Sequence, residues 1–402
     1  MPSFYEFFAG VGLARLGLGP QWRCVFANDI DDKKAEIYRE NFGDDELVVD
    51  DIRNIRDLPP NADVAWASFP CQDLSLAGWR RGMFAGRSGA FWPFWERLNE
   101  LLEHHDRPPL VVIENVVGLL HSPDFIGLCE SLSALDMQFG ALVMDAVRFV
   151  PQSRARVFLV AVSNSVSTEE FTVSAPHDST WVTPALLEAY ERLPVYLQEP
   201  WRWWDVQPYE REITAVDSII EDDPTGVDWN SDVETQRLLD MMSDVNRDKV
   251  NRVIQSGRPA VGFVYKRIRQ GLQRAEVRFD GIAGCLRMPT GGSSRQTIMF
   301  VRDGHIRTRL LSPREAARLM GVPDTFWLPD RYNQAYGAMG DGVAVPVVSW
   351  LARNLLDPLT NACRITGIRA RGLDIMQDIA PVLEAQRTVA ALAEQWRNRV
   401  YA

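Results

Sequence analysis

The N-terminal segment is the feature that most constrains the fold of this chain. Residues 3–8 have the pattern of a short strand, residues 9–12 form a tight turn with two glycines, and a helix begins at Leu13. Strand, glycine turn and helix make up the first unit of a Rossmann-like α/β sheet, in which glycines let the backbone approach a ligand. Arg15 stands where the full fingerprint has its third glycine, so the turn alone leaves open whether it binds a nucleotide-like ligand.

Acidic residues follow the next two strands of this predicted sheet. Residues 23–28 lead into Asp29, 19 positions after Gly10, where this fold class holds a carboxylate against ribose hydroxyls. Residues 47–49 lead into Asp51, whose carboxylate either accepts an adenine amino group or caps a turn. The three features together favour an adenosine-like ligand.

The segment Ser68-Phe69-Pro70-Cys71-Gln72 follows an apolar strand at residues 64–67. Because Pro70 cannot continue a sheet ladder, the chain leaves the strand just before Cys71. A thiol at a strand exit suits a nucleophile, although free cysteines are just as often small buried residues. Residues 78–89 contain four glycines and three arginines, which indicates a loop that contacts phosphates.

Two further segments carry charges that fit an active-site cleft. Glu114 follows the apolar run at residues 110–113, where it either points into the cleft of an open α/β sheet or forms a structural salt bridge or cap. Arg154 and Arg156 alternate along an extended segment, which predicts two guanidinium groups directed at a common anion or carboxylate.

Charge is unevenly distributed along the chain. The net charge of −11 argues against a nucleic-acid partner, and residues 163–240 contain 17 acidic and four basic residues. Residues 263–309, by contrast, contain ten basic and three acidic residues. This basic stretch is a candidate phosphate-binding surface, with the solvated face of a charged domain as the alternative.

Cysteine spacing and hydropathy exclude several classes of protein. The five cysteines are scattered and form no C-x-x-C pair, so we expect neither a disulfide framework nor a metal site. No apolar run approaches the length of a membrane span, and no secretory signal pattern is visible. We therefore expect a cytoplasmic protein without a membrane partner.

These segments, taken in order, resemble the DNA (cytosine-5)-methyltransferases, which use S-adenosylmethionine. The resemblance covers residues 1–162 and 281–356. The matching segments are Phe8-Ala9-Gly10-Val11-Gly12, Asn28-Asp29, Asp51-Ile52, Phe69-Pro70-Cys71-Gln72, Glu114-Asn115-Val116, Gln152-x-Arg154-x-Arg156, residues 314–321 and residues 334–343.

The resemblance implies an α/β architecture with two domains. It predicts a Rossmann-like class I methyltransferase domain with a mixed, mostly parallel sheet, and a smaller inserted target-recognition domain. The expected divisions are residues 1–163 for the first part of the catalytic domain, 164–280 for the recognition insert, 281–358 for its end and the return to the catalytic domain with a closing helix, and 359–402 for a peripheral helical extension.

The resemblance also implies the roles of individual residues. Cys71 would attack C6 of a cytosine flipped out of the duplex, and the other implied catalytic residues are Glu114, Gln152, Arg154 and Arg156. The implied cofactor contacts are Phe8, Gly10, Gly12, Asp29, Ile30, Asp51, Ile52, Phe69, Asp341 and Val343. The implied DNA contacts are Gln72, Ser75, Arg80, Arg81, Arg87, Lys266, Arg267, Arg269 and Arg295.

The expected enzyme is a monomer that acts on double-stranded DNA as the modification enzyme of a restriction–modification system, with or without a cognate restriction endonuclease. A transfer-RNA cytosine methyltransferase and a catalytically silent DNA-binding relative are the alternatives. Two positions depart from the family pattern. Ala90 stands where the family tends to have a larger aliphatic residue against the cofactor. The last motif usually reads Gly-Asn-x-Val, whereas Asp341 replaces the asparagine here. The additional carboxylate is expected to weaken cofactor binding, change its hydrogen bonds or admit a different sulfonium.

Overall fold

A seven-stranded sheet forms the centre of the computed structural model, which describes residues 1–69, 94–95, 97, 99–100, 108–176, 180–210, 215–221, 223–269, 271–288 and 295–365. Its strands are β1 Ser3–Phe7, β2 Arg23–Asp29, β3 Leu47–Val49, β4 Val64–Ala67, β5 Leu110–Val116, β6 Met137–Asp145 and β7 Ala155–Ser163. The spatial order is β3-β2-β1-β4-β5-β7-β6. Neighbours from β3 to β5 are parallel, and β7 runs antiparallel between β5 and β6. The predicted mixed, mostly parallel α/β sheet is therefore confirmed.

The sheet is covered on both faces, as its apolar strands require. Strands β1 and β4 are buried along their whole length, which is typical of parallel strands between two layers of helices. The covering helices include α1 Leu13–Leu18, α2 Asp32–Phe42 and α3 Asp124–Ala134. The strand order reverses between β1 and β4, and open α/β sheets bind ligands outside the carboxyl ends of the strands at such a point.

Residues 164–210 pack against the central sheet through aromatic side chains. Their elements are β8 Thr172–Val173, α4 Pro184–Glu191, α5 Val195–Gln198 and β9 Trp203–Trp204. Trp201 lies edge-on against Phe139 with ring centroids 6.0 Å apart, and Trp181 stacks on Phe149 at 6.1 Å. The tryptophan-dense stretch thus contributes to the large core, while the division into domains stays a prediction.

A second, four-stranded antiparallel sheet contains the basic stretch. It follows helices α6 Asp232–Asp240 and α7 Asp244–Ser256 and consists of β10 Ala260–Arg269, β11 Leu272–Arg278, β12 Thr297–Arg302 and β13 His305–Leu310. The spatial order is β11-β10-β12-β13. A separate apolar cluster, which includes Leu238, Val250 and Val277, joins the two helices to this sheet.

The chain then returns to the central sheet through four helices, α8 Pro313–Leu319, α9 Tyr332–Asp341, α10 Val345–Leu351 and α11 Asp357–Ile365. Helix α8 has the predicted start: Ser312 caps it, Pro313 is its first residue, and Glu315 completes a capping box. Glu315 also forms a fully buried ion pair with Arg309, 2.6 Å apart, which fixes β13 to α8. Within the described residues, no helix is long and apolar enough to cross a membrane.

Candidate cofactor and catalytic site

The turn after β1 has a backbone conformation that lets a ligand approach it closely. Gly10 and Gly12 have φ angles of 60° and 79°, and Phe8 also has a positive φ of 57°, which is rare for a residue with a side chain. A Cβ atom on Gly12 would lie 2.4 Å from the ring of Phe42, so this position requires glycine. The missing third glycine of the fingerprint does not prevent the turn from forming.

Asp29 and Asp51 stand at the ends of neighbouring parallel strands. The Asp29 carboxylate accepts hydrogen bonds from the backbone N–H groups of Gly10 and Asp31, at 2.8 and 2.9 Å, and so joins the glycine turn to β2. Asp51 caps a short helical turn and binds Arg53, whose hydrogen bond lowers the pKa of Asp51. Both carboxylates also line one cleft, so the capping and ligand-binding interpretations of Asp51 are compatible.

The cleft lies at the carboxyl ends of β1, β2, β4 and β5 and has a volume of about 680 Å³. Its described walls contain more acidic than basic residues. The acidic residues are Glu6, Asp29, Asp31, Asp50, Asp51, Glu114 and Asp341, and the basic residues are Lys34, Arg53 and Arg156. The remaining walls are largely apolar, and they include the implied cofactor contacts Phe8, Gly10, Ile30, Ile52, Phe69 and Val343. Such a cleft favours a ligand with an apolar body and a positive charge.

Glu6 is a buried carboxylate in this wall that was not singled out in the sequence. It is 1 % exposed, and its Oε1 atom accepts a hydrogen bond from the backbone N–H of Arg15 at 3.1 Å. Its Oε2 atom has no hydrogen-bond partner among the described residues. Burial raises the pKa of Glu6 to about 8.

Glu114 and Arg156 form an ion pair at the edge of the cleft. The Arg156 Nε atom lies 3.2 Å from Glu114 Oε1, and the side chains are only 15 % and 10 % exposed. The next residue, Asn115, donates a hydrogen bond to the carbonyl of Phe69 at 3.3 Å. The glutamate, the arginine and the chain that leads toward Cys71 therefore meet at one wall.

Arg154 and Gln152 occupy a buried junction behind the cleft. The Arg154 guanidinium donates to the carbonyls of Leu286, Gly340 and Gly342 at 2.9, 2.8 and 2.6 Å. Gln152 accepts from the backbone of Leu286 and donates to the carbonyl of Leu319. Both side chains hold the returning chain segments together, and neither lines the cleft.

The predicted convergence of Arg154 and Arg156 on a common anion or carboxylate is not seen in their hydrogen bonds, because Arg156 pairs with Glu114 whereas Arg154 donates to backbone carbonyls. Arg154 precedes β7, which begins at Ala155, so strict strand alternation does not apply to it. Both arginines also lie close to the thiol of Cys285, which is 3.3 Å from Arg154 Nη1. Burial alone would raise the pKa of Cys285, but the charges of Arg154, Arg156 and Arg287 lower it.

Asp341 forms an ion pair with Lys34 across the cleft. The Lys34 Nζ atom lies 3.0 Å from Asp341 Oδ2, and the side chains are 22 % and 37 % exposed. Burial opposes the charge of Lys34, but Asp341 and Asp29 outweigh it and raise the pKa of Lys34. The departure from the family pattern at position 341 thus has a positively charged partner.

The remaining sequence-predicted residues lie elsewhere. Cys71, Gln72, Ser75, Arg80, Arg81 and Arg87 are outside the described residues. Lys266, Arg267 and Arg269 lie at the end of β10, where Arg267 and Arg269 are 52 % and 56 % exposed. Arg295 packs over the ring of Tyr332 and binds Asn333.

Comparison with known proteins identifies the family. Residues 3–357 match the family model of the C-5 cytosine-specific DNA methylases. The chain belongs to this family. It is therefore a DNA cytosine-5 methyltransferase that uses S-adenosylmethionine, and an excess of carboxylates around an apolar cleft fits a sulfonium nucleoside.

Named relatives and solved structures agree with this assignment. The type II methyltransferase M.HhaI of Haemophilus parahaemolyticus is 27 % identical over 362 residues, which cover 88 % of this chain and 93 % of the relative. The type II methyltransferase M.HpaII of Haemophilus parainfluenzae is 26 % identical over 384 residues, which cover 89 % and 90 %. The fold resembles the methyltransferase EhMeth of Entamoeba histolytica, with a TM-score of 0.58 and 14 % identity over 89 % of this chain and 99 % of the other. This DNA methylase therefore shares the family fold along most of its length.

Proposed function

We propose that this DNA methylase modifies a cytosine flipped out of double-stranded DNA, with the Cys71 thiolate as nucleophile. The observation that carries the proposal is the ion pair between Glu114 and Arg156 at the wall of the cleft, beside Phe69. Asn115 fixes the Phe69 carbonyl, and Cys71 follows Phe69 by two residues. The chain thus supplies a nucleophile, an acid and a cation in the same region.

These groups suit a reaction that cytosine does not undergo unaided. The Cys71 sulfur adds to C6, and the electron pair of the C5–C6 bond becomes available at C5. Glu114 hydrogen-bonds N3 and the exocyclic amine and stabilises the charge that develops on the ring. Arg156 orients the glutamate and the base, and it favours the thiolate form of Cys71 by its charge. When bound in the cleft, S-adenosylmethionine would supply the methyl group to C5 and leave as the neutral thioether S-adenosylhomocysteine. Loss of the C5 proton to a base would then return its electron pair to the C5–C6 bond, expel the Cys71 sulfur and restore the ring.

Because C5 and C6 are stacked inside a duplex, the target base must leave the helix before this reaction. The basic hairpin formed by β10 and β11 supports a role in holding the DNA. Arg267 and Arg269 alternate along β10 and lie 3.9 and 2.9 Å from Glu276, which orients them while more than half of each side chain stays exposed. We propose that these arginines and Lys266 contact phosphates or base edges, within a recognition domain that includes the second sheet.

A covalent trap tests the nucleophile. Duplex DNA with 5-fluorocytosine at the target cannot lose its C5 substituent, so the adduct with the attacking sulfur should persist and migrate slowly in a denaturing gel. Wild-type protein and the Cys285→Ser variant should form the adduct with S-adenosylmethionine present, and Cys71→Ser should not. An adduct that survives in Cys71→Ser and disappears in Cys285→Ser would show that Cys285, and not Cys71, is the nucleophile.

The substrate is tested by methyl transfer to plasmid DNA and to transfer RNA in parallel, followed by bisulfite mapping. Modified cytosines in one DNA sequence context are expected; transfer to RNA alone would overturn the DNA assignment. Arg267→Ala should weaken DNA binding and reduce the slope of log affinity against log salt by about one. An unchanged slope would mean that Arg267 contacts no phosphate.

We further propose that the protein acts as a cytoplasmic monomer in a restriction–modification system. The type II methyltransferases among its relatives support this role. Plasmid isolated from expressing cells should resist a restriction endonuclease that cuts at the bisulfite-mapped site, and light scattering should give the mass of one chain. Complete digestion of fully methylated plasmid would count against the protective role.

A further inference from the structure

We propose that Lys34 is the residue that binds the carboxylate of the cofactor's amino-acid end, and that Asp341 positions it for this task. The proposal rests on the cofactor cleft described above and assigns to it a residue that the sequence motifs do not contain. It starts from the ion pair between Lys34 and Asp341, which joins the first turn of α2 to the last residue of α9.

The amino-acid end of S-adenosylmethionine carries a carboxylate, and the cleft is unfavourable for such a group. Seven acidic residues line its described walls, and only three basic residues accompany them. A carboxylate that enters this cleft needs a cation close to it, because an unpaired charge in a half-buried site loses its hydration without compensation. The sulfonium and ammonium groups of the cofactor have many possible partners here, whereas its carboxylate has few.

Two of the three described cations are unsuited to this role. Arg53 binds Asp51 through its guanidinium and is 72 % exposed, so its charge faces solvent at the strand end. Arg156 binds Glu114, and moving it to the cofactor would remove the partner of the proposed catalytic glutamate. Among the described lining residues, Lys34 is the cation that remains.

The position of Lys34 in its helix also requires an explanation. Lys34 lies in the first turn of α2, whose N-terminal cap is Asp31, and a cation is disfavoured at this end by the helix dipole. Its side chain is 22 % exposed and reaches Asp341 rather than solvent. The Asp341 carboxylate thus holds Lys34 at the wall of the cleft, although this end of the helix disfavours a cation. In this position the lysine can bind an anionic group of a ligand in the cleft.

Asp341 is placed to orient this lysine because the C-terminal end of α9, where it lies, is fixed. Arg154 donates to the carbonyls of both flanking glycines, Gly340 and Gly342. A Cβ atom on Gly342 would lie 2.4 Å from Leu13, and one on Gly340 would lie 2.7 Å from the backbone of Arg287. The Asp341 carboxylate therefore projects from a fixed C-terminal end of α9, and the replacement of the usual asparagine by aspartate suits a neighbouring lysine.

The test compares ligands with and without the carboxylate by isothermal titration calorimetry. The ligands are S-adenosylmethionine, S-adenosylhomocysteine and decarboxylated S-adenosylmethionine, and the proteins are wild type, Lys34→Gln and Lys33→Gln. Lys33 is the exposed neighbour on the same helix, so its variant controls for loss of one positive charge. Lys34→Gln should weaken both carboxylate-bearing ligands by about tenfold to a hundredfold and change the decarboxylated ligand by less than twofold. Lys33→Gln should change all three by less than twofold.

Three outcomes would overturn the proposal. If Lys34→Gln weakens all three ligands equally, the ion pair supports the cleft and does not bind the carboxylate. If Lys34→Gln binds all three as wild type does, Lys34 has no part in cofactor binding, although the cofactor assignment stands. A wild-type protein that binds none of the ligands would refute the cofactor site together with the role of Lys34. Binding of the decarboxylated ligand by Lys34→Gln shows within the same experiment that the variant is folded.

Discussion

Glu6 gives the most quantitative prediction from the structure. Its carboxylate is 1 % exposed and accepts one hydrogen bond within the described part of the chain, from the Arg15 N–H. Burial raises its pKa from an ordinary value of 4.5 to about 8. Since the folded state binds this proton more tightly than the unfolded state, the contribution to stability is fully present below pH 4.5 and is lost as the pH rises through 8. Between pH 5 and pH 8, the free energy of unfolding should fall by about 3 kcal/mol because of Glu6.

The substitution Glu6→Gln tests this value. Glutamine keeps the acceptor for Arg15 but places an amide where Oε2 has no partner, a cost of about 1–3 kcal/mol that does not depend on pH. Urea unfolding at pH 5, 6, 7 and 8 gives the free energy of unfolding of wild type and of Glu6→Gln. As the pH rises, the variant should therefore become steadily more stable relative to wild type. Glu40→Gln, the same change on the exposed face of α2, controls for the general effect of charge. A difference between wild type and Glu6→Gln that stays flat over this range would refute the reasoning.

Three further predictions concern buried charges around the site. Arg154→Ala should lower the free energy of unfolding, measured in urea, by about 3–5 kcal/mol. Arg156→Ala should lower kcat by about a hundredfold or more, with a smaller loss of stability. A large loss of kcat without loss of stability in Arg154→Ala, and the opposite in Arg156→Ala, would contradict these roles. Glu315→Ala leaves the charge of Arg309 buried without its partner and should also cost about 3–5 kcal/mol, so an unchanged thermal midpoint would contradict the importance of that pair. The pKa of Cys285 is lowered in the folded state, so its stabilising effect is present at high pH and is lost as the pH falls. The stability advantage of wild type over Cys285→Ser should thus grow from pH 7 to pH 9, and an advantage that does not change would show that the thiol is neutral throughout.

The central sheet was predictable because its strands are short apolar runs that end in glycine or acidic residues. The burial of β1 and β4 on both faces follows directly from such runs. The packing of residues 164–210 against the central sheet was not predictable from the same pattern. Its tryptophans are buried by contacts with distant residues, such as that of Trp201 with Phe139, and the local sequence does not specify these partners.

The candidate site was predictable where a motif also fixes the geometry. Asp29 and Glu114 lie at strand ends, and parallel strands bring such ends to one edge. Arg154 shows the limit of this reasoning, because its position two residues before Arg156 implied one shared target. The side chain instead ties together three backbone carbonyls from segments more than 100 residues later in the chain. Local periodicity contains no information about such contacts.

The effect of Asp341, which departs from the family motif, depends on a residue that is distant in the sequence. By itself, a carboxylate in place of an amide adds negative charge to a cleft that is already acidic. Lys34, 307 positions earlier in the chain, changes this balance, since the pair is neutral and each residue stands at the helix end where the dipole disfavours its charge. An asparagine at 341 would remove the ion-pair partner of Lys34 and leave Asp29 and Asp31 as its nearby negative charges, and a glutamine at 34 would leave Asp341 as one more carboxylate facing the cofactor. The two residues therefore act as one unit, and the effect of either on cofactor binding depends on the presence of the other.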